Sequence, residues 1–150
     1  MAGTRDVESM GALVAWCRGS CDADAKLCVA VDVGATNVRF SITAGFTSIA
    51  FIKRKADGVG TLLALLREWE AALALAAPDL LKRVAAAAIA VPGPVTAGRA
   101  LMANYSGATA QEKTLDARDL PTRLFPAETG RTQLLNDLEA AAVGIAGLDK

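Results

Sequence analysis

The sequence contains no histidine and only three cysteines, which limits the metal sites that it can form. Cys17, Cys21 and Cys28 cluster near the N-terminus, and no imidazole is present to complete a zinc site with them. An odd number of thiols also argues against a disulfide framework. We therefore expect reduced cysteines in an intracellular protein.

An excess of either charge is also missing. The 16 basic and 16 acidic side chains cancel to a net charge of zero, so no general attraction to nucleic acid or to an anionic membrane surface is expected. Acidic residues and a short apolar stripe share the first 20 residues, which is unlike a secretory leader. No apolar run reaches the ~20 residues that a membrane-spanning helix needs. These features predict a soluble protein without an export signal.

Apolar residues are plentiful, at 53% of 150 positions, which is enough to form the core of one domain. Periodicity and turn residues predict helices over residues 5–18 and 61–76, and strands over 27–33, 38–43, 47–53, 84–91, 100–102 and 132–135, followed by a final helical segment. Three successive strands joined by tight turns form an antiparallel meander, and the strand, helix, strand order after it implies a parallel crossover. The fold class predicted is α/β with a mixed sheet.

Asp32 interrupts the apolar strand 27–33 and is followed at once by Gly34, in the pattern D-x-G-x-T-N. A buried carboxylate is costly unless it is paired or meets a cation. Gly34 allows close approach of a ligand, and the backbone amides with Thr36 and Asn37 can donate to phosphate oxygens. Asp32 would then face Mg²⁺, through water. The alternative is a β-turn in which Asp32 only caps the backbone.

The pattern differs from the two best-known nucleotide loops. Neither G-x-x-x-x-G-K nor G-x-G-x-x-G occurs, and both require a helix where this sequence predicts a second strand. Any phosphate would therefore be held between strands. Arg39 could add positive charge there, although a solvated strand residue explains it at least as well.

A stiff loop, Pro92-Gly93-Pro94, follows the strand 84–91, at the end where open α/β sheets place ligands. Further on, Asn104 offers a neutral amide for a hydroxyl-rich substrate. By itself, a loop of this kind is more often a stiff connection without any ligand.

Asn136 and Asp137 follow the last predicted strand. One side chain could hold a sugar hydroxyl and the other could accept its proton. Capping of the next helix, with Glu139 in its first turn, is the stronger local explanation.

Taken in order, these stretches resemble the hexokinase, heat-shock-ATPase and actin superfamily, whose first phosphate loop is D-x-G-x-T between two strands of a hairpin. VDVGATNVRF, KRVAAAAIAVPGPVTAG, NYSG, RLFP and LLNDLEAAAVGI look more specifically like group A glucokinases, in particular the kinetoplastid ones. The resemblance covers residues 27–145. It implies a ribonuclease-H-like fold, as the small N-terminal domain of a two-lobed sugar kinase that transfers phosphate from ATP to the 6-hydroxyl of glucose.

Carried over to this sequence, the resemblance implies roles for seven residues. The ATP phosphates and Mg²⁺ would lie at Asp32, Gly34, Thr36 and Asn37, glucose would bind Asn104, Asn136 and Asp137, and Asp137 would be the catalytic base. Ala35 departs from the family, which usually has a second glycine there, and fits if its φ is negative.

The resemblance also carries expectations about the whole protein. Residues 1–26 would be a helical extension and 27–150 the N-terminal domain, with the second lobe absent and the 150 residues inactive alone. A homodimer, and a cytoplasmic or glycosomal location, are expected for the full-length protein, although the chain ends in LDK and shows no targeting signal. The alternatives are a kinase for another hexose or hexosamine, and a non-catalytic sugar-binding remnant.

Overall fold

The computed structural model describes residues 4–22, 24–44, 49–128 and 130–136. Helices and strands follow in the order β1 Thr4–Asp6, α1 Met10–Ser20, β2 Leu27–Val33, β3 Asn37–Thr43, β4 Ile49–Lys55, α2 Val59–Ala76, α3 Pro78–Lys82, β5 Val84–Val91, β6 Val95–Thr96, β7 Arg99–Leu101, β8 Thr114–Asp116 and β9 Thr132–Asn136, with a 3₁₀ turn at Ala117–Asp119.

Six of the strands form one mixed sheet in the order β1-β4-β3-β2-β5-β9. β2, β3 and β4 pair antiparallel, whereas β5 pairs parallel with both β2 and β9, and β1 pairs parallel with β4. The antiparallel meander and the parallel crossover through α2 are therefore confirmed. β6, β7 and β8 form a separate antiparallel sheet of three short strands.

The main core lies between the large sheet and the helices α1 and α2. Alternate residues of β2 are fully buried, while Cys28 and Asp32 on the other face of the strand are exposed. Phe40 of β3 stacks on Trp69 of α2, with ring centroids 4.9 Å apart and planes inclined by 24°. Stacked aromatic rings contribute stabilisation beyond that of the apolar area that they bury, so this pair helps to hold α2 against the sheet.

The N-terminal region differs from the prediction. Residues 4–6 form an edge strand, and α1 begins only at Met10, where the Oγ of Ser9 accepts a hydrogen bond from the Ala12 amide (3.1 Å). Val7 is buried as predicted, but it lies between β1 and α1. This stretch was mistaken for helix because its apolar spacing continues that of α1.

The remaining differences are short elements that the prediction missed. Pro78, which was taken only as the end of a helix, is the first residue of the one-turn helix α3. The strand predicted over 100–102 is β7, and its partners β6 and β8 were not predicted. The turn predicted at Ala44-Gly45 lies partly, and the final helical segment wholly, outside the described residues. In the described part of the chain, no helix is both long and apolar enough to cross a bilayer.

Candidate functional site

Three parallel strands, β2, β5 and β9, bring Asp32, the start of the Pro92–Pro94 loop and Asn136 to one edge of the large sheet. Asp32 of β2 is in register with Ala90 of β5, and Val91 of β5 is in register with Asn136 of β9. The loops that follow β2 and β5 therefore leave the sheet beside the end of β9. In α/β sheets, ligands bind at this carboxyl edge.

Residues 34–37 form the tight turn between β2 and β3, called the hairpin loop below. The Gly34 amide donates to the Asn37 carbonyl oxygen (2.8 Å), and the Asn37 side-chain amide donates to the Thr36 hydroxyl (3.3 Å). A Cβ on Gly34 would lie 3.2 Å from the Asn37 carbonyl oxygen, so even a methyl group is crowded there. Ala35 and Thr36 are exposed, which leaves the loop open to a ligand.

The alanine at position 35 is compatible with this turn. Within the described residues, Ala97 is the only non-glycine residue with a positive φ, so Ala35 has the negative φ that alanine requires. The second glycine usual in the family is therefore not needed for the backbone conformation of this loop.

Asp32 is not the buried carboxylate that the sequence suggested. Its side chain is 58% exposed, because alternate residues of β2 face away from the core. The carboxylate lies 3.6 Å from the Arg39 guanidinium, which also lies over the Phe51 ring, 5.7 Å from its centroid. An exposed ion pair of this kind contributes about 0–1 kcal/mol. Because Asp32 is exposed, it needs no partner to offset a desolvation cost, and desolvation gives no reason to expect a bound cation here.

The Pro92–Pro94 loop is fixed by close packing. Gly93 is buried, and a Cβ on it would collide with the carbonyl oxygen of Leu101 in β7. Its own carbonyl oxygen accepts a hydrogen bond from the Asn136 side-chain amide (3.1 Å). A hydrogen bond therefore joins the Pro92–Pro94 loop directly to the end of β9, and both were predicted from the sequence as possible ligand-binding segments.

Asn104 lies on an exposed turn of residues 103–107, called the amide loop below. The loop is anchored by Tyr105, which is 3% exposed, and by the Ser106 amide, which donates to the Asp57 carbonyl oxygen (2.8 Å). Burial, and secondarily the charge of Asp57, raise the pKa of Tyr105 to about 12. Its hydroxyl has no hydrogen-bond partner among the described residues.

Asp137, the predicted base, lies outside the described residues. The backbone of Asn136, immediately before it, is held in register with Val91.

The segment 55–58 was not recognised from the sequence, where Asp57-Gly58 was taken only as a break before a helix. Its backbone joins two loops, because the Ala56 amide donates to the Thr36 carbonyl oxygen (3.0 Å) and the Asp57 carbonyl accepts from Ser106. An open cleft of about 380 Å³ lies beside it, lined by Thr36, Lys55, Ala56, Asp57 and Thr61. Hydrogen bonds between backbone groups leave no sequence signature, so no motif could have revealed this connection.

Comparison with known proteins finds glucokinases by sequence and by structure. The family model described as Glucokinase matches residues 29–150. Among curated proteins, probable glucokinase 2 of Trichomonas vaginalis is 33% identical over 149 residues, covering 97% of this chain and 38% of the relative. Glucokinase 1 of the same organism is 32% identical over 133 residues, covering 87% of this chain and 33% of the relative.

Solved structures give the same result. The Leishmania braziliensis glucokinase is 30% identical with a TM-score of 0.77, covering 97% of this chain and 38% of that one. A glucokinase from Balamuthia mandrillaris, solved in complex with glucose, is 26% identical with a TM-score of 0.71, covering 82% and 33% respectively. These likenesses confirm the predicted actin-like ATPase fold. The chain spans 33–38% of the length of these relatives.

Proposed function

Because the chain belongs to the glucokinase family, we propose that it is the N-terminal lobe of an enzyme that transfers the γ-phosphoryl group of ATP to the 6-hydroxyl of glucose. The observation that carries this proposal is the convergence of the hairpin loop, the Pro92–Pro94 loop and the end of β9 at one edge of the sheet. A phosphoryl transfer needs its donor and acceptor groups side by side, and the convergence of these segments supports that reaction.

The hairpin loop suits the phosphates of ATP. Its exposed turn contains Thr36 and Asn37 as donors, and the missing side chain at Gly34 lets the turn close against the Asn37 carbonyl oxygen, which keeps these donors together with Gly34 at the proposed phosphate site. Asp32 suits Mg²⁺ bound through water, because its carboxylate is exposed and that ion keeps much of its hydration shell. Bound Mg²⁺ would neutralise charge on the phosphates during transfer.

The other side of the edge suits the sugar. Asn104 and Asn136 are the proposed partners of glucose hydroxyls, and both belong to segments held by hydrogen bonds to neighbouring loops. Asp137 is the proposed base that accepts the proton of the 6-hydroxyl. Asn136, the described residue that precedes it in the chain, is fixed both by strand pairing and by Gly93.

The segment 55–58 contributes by connecting the two sides. It bonds to the phosphate side through Thr36 and to the amide loop through Ser106. In the proposed enzyme it therefore keeps the ATP-binding turn and the sugar-binding turn at a constant separation.

The experiment that tests the function is a coupled assay of glucose 6-phosphate formation by the full-length protein, with Asp137→Asn as the variant. Loss of the base should lower kcat by about 10²–10⁴-fold, while calorimetry still detects glucose binding. The control is Asp119→Asn, the same change at an exposed position of the 3₁₀ turn, which should leave turnover unchanged.

The outcomes separate the candidate functions. Unchanged turnover in Asp137→Asn would remove that residue from its role. Turnover only with another hexose or a hexosamine would replace glucose as substrate, and glucose binding without any turnover would indicate a sugar-binding protein. The 150 residues alone should show no turnover, because one wall of a cleft cannot exclude water from the reaction.

A further inference from the structure

Two of the three cysteines form a pair that the proposed kinase chemistry does not use. Cys17 lies in α1 and is completely buried, and its sulfur is 3.8 Å from that of Cys21. Cys21 follows the last residue of the helix, and its amide donates to the Cys17 carbonyl oxygen (2.9 Å). The fold thus holds two thiols at contact distance, one inside the core and one at its surface.

The backbone position of Cys21, just after the helix, leaves its thiol accessible from the surface. Its φ of −116° and ψ of 143° are extended, so it is outside the helix and only half-buried. A reagent can therefore reach Cys21 first and then find the sulfur of Cys17 within reach. Burial, and next the neighbouring Cys21, raise the pKa of Cys17 to about 12, so the inner group is a neutral thiol at physiological pH.

The composition of the neighbourhood restricts the ligand. Within the described residues, no three His, Cys, Asp or Glu side chains come together, whereas tetrahedral zinc takes four ligands. A ligand satisfied by two soft sulfurs fits better. The third thiol, Cys28, is exposed on the opposite face of β2 and belongs to no pair, so it provides an internal control.

We propose that Cys17 and Cys21 form a binding site for trivalent arsenicals, which bond to two thiols at once. With an organoarsenic oxide, both S–H groups lose their protons, two As–S bonds form, the arsenic–oxygen bond breaks, and the oxygen leaves as water with the two protons. Arsenic stays trivalent and no sulfur is oxidised. Cys21 reacts first from the surface, and Cys17 closes the chelate.

Phenylarsine oxide is the probe that tests the site. The folded protein is treated with one equivalent, washed with excess 2-mercaptoethanol to remove arsenic held by a single thiol, and analysed by intact mass spectrometry. Wild type and Cys28→Ser should retain one adduct, and 2,3-dimercaptopropanol should release it. Cys21→Ser and Cys17→Ala should lose it. Because Cys21→Ser replaces a half-exposed side chain, this variant should fold, and it tests the proposal even if Cys17→Ala does not fold.

Two results would overturn the proposal. One is an adduct that survives the wash in Cys21→Ser or disappears in Cys28→Ser. The other is that wild type retains as much arsenic in urea as in buffer. The fold would then contribute nothing to arsenic binding beyond what two cysteines close in sequence provide in an unfolded chain. The folded site should retain more arsenic, since its sulfurs are already held together.

Discussion

The hairpin loop and the Pro92–Pro94 loop leave the same edge of the sheet but are built in opposite ways. The hairpin loop is exposed and is closed by hydrogen bonds among its own residues, and its contacts with the rest of the fold include one backbone hydrogen bond from Ala56 and the weak ion pair of Asp32. The Pro92–Pro94 loop has a buried glycine packed against β7 and a side-chain hydrogen bond from β9.

This difference matches the ligand proposed for each side of the sheet edge, phosphate beside the hairpin loop and sugar beside Asn136, which the Pro92–Pro94 loop holds through Gly93. A sugar is recognised by hydrogen bonds of fixed direction, so its side must be positioned before binding. A phosphate with its metal ion supplies strong charge, and an open loop with several donors can accept it. Rigidity should therefore be concentrated on the sugar side, and the following changes test that contrast.

The largest effect is expected from Gly93→Ala. The new methyl group would collide with the Leu101 carbonyl, and the rigid loop or β7 would have to move, at a cost of about 3 kcal/mol in the free energy of unfolding. Urea unfolding measures this change. The control is Gly60→Ala in α2, where a Cβ meets nothing within 4 Å, and it should stabilise by about 0.5–1 kcal/mol. Equal stability of the two variants would show that the loop is not tightly packed.

Tyr105, which anchors the amide loop, should make the free energy of unfolding depend on pH in the alkaline range. The folded pKa of Tyr105, about 12, exceeds its ordinary value of 10.0, so its contribution is intact below pH 10 and is lost as the pH rises towards 12. Tyr105 is the only tyrosine, so ultraviolet titration of tyrosinate follows it directly. Tyr105→Phe should remove this part of the alkaline loss. An ordinary pKa in the folded protein would show that the ring is not buried.

A smaller effect is expected from Gly34→Ala on the phosphate side. The added Cβ would lie 3.2 Å from the Asn37 carbonyl oxygen, and an exposed turn can move by the few tenths of an ångström required. We expect a loss of about 1 kcal/mol or less in urea unfolding. A loss as large as that of Gly93→Ala would remove the contrast between the loops.

The smallest effect on stability is expected from Asp32→Asn. The pair with Arg39 is half-exposed and 3.6 Å long, so the free energy of unfolding should change by less than about 1 kcal/mol, and less still in high salt. In the full-length protein the same change should raise the Mg²⁺ concentration needed for half-maximal turnover. An unaltered Mg²⁺ requirement would contradict the proposed role of Asp32.

The long elements of the fold could be predicted from sequence because each has a strong pattern of its own. β5 was predicted with the observed bounds, and α2 to within two residues at its start. The missed strands β1, β6 and β8 have two or three residues, too few to show any period, and exist through their partners. The start of α1 was misjudged because the apolar spacing at Val7 continues that of the helix, whereas the helix begins after the cap at Ser9, which the prediction did not use.

Candidate site residues could be chosen from the sequence by residue type, but their exposure and contacts, which depend on packing, could not be predicted. The motif around Gly34 and the pair Asn136-Asp137 were visible as sequences. The exposure of Asp32 was misjudged, because a single charge within an apolar strand does not show which face of the sheet is covered. The contacts of Gly93 and the segment 55–58 join residues far apart in the chain, which only the fold brings together.

Hydrogen exchange of the full-length protein tests most directly whether one sheet edge holds both ligands. A magnesium complex of a non-hydrolysable ATP analogue should protect amides in residues 32–39, and glucose should protect amides in 92–107 and 132–136. Protection by both ligands at these segments is the result that we predict. Unchanged exchange at all three segments, with protection only in α1 and α2, would contradict the account.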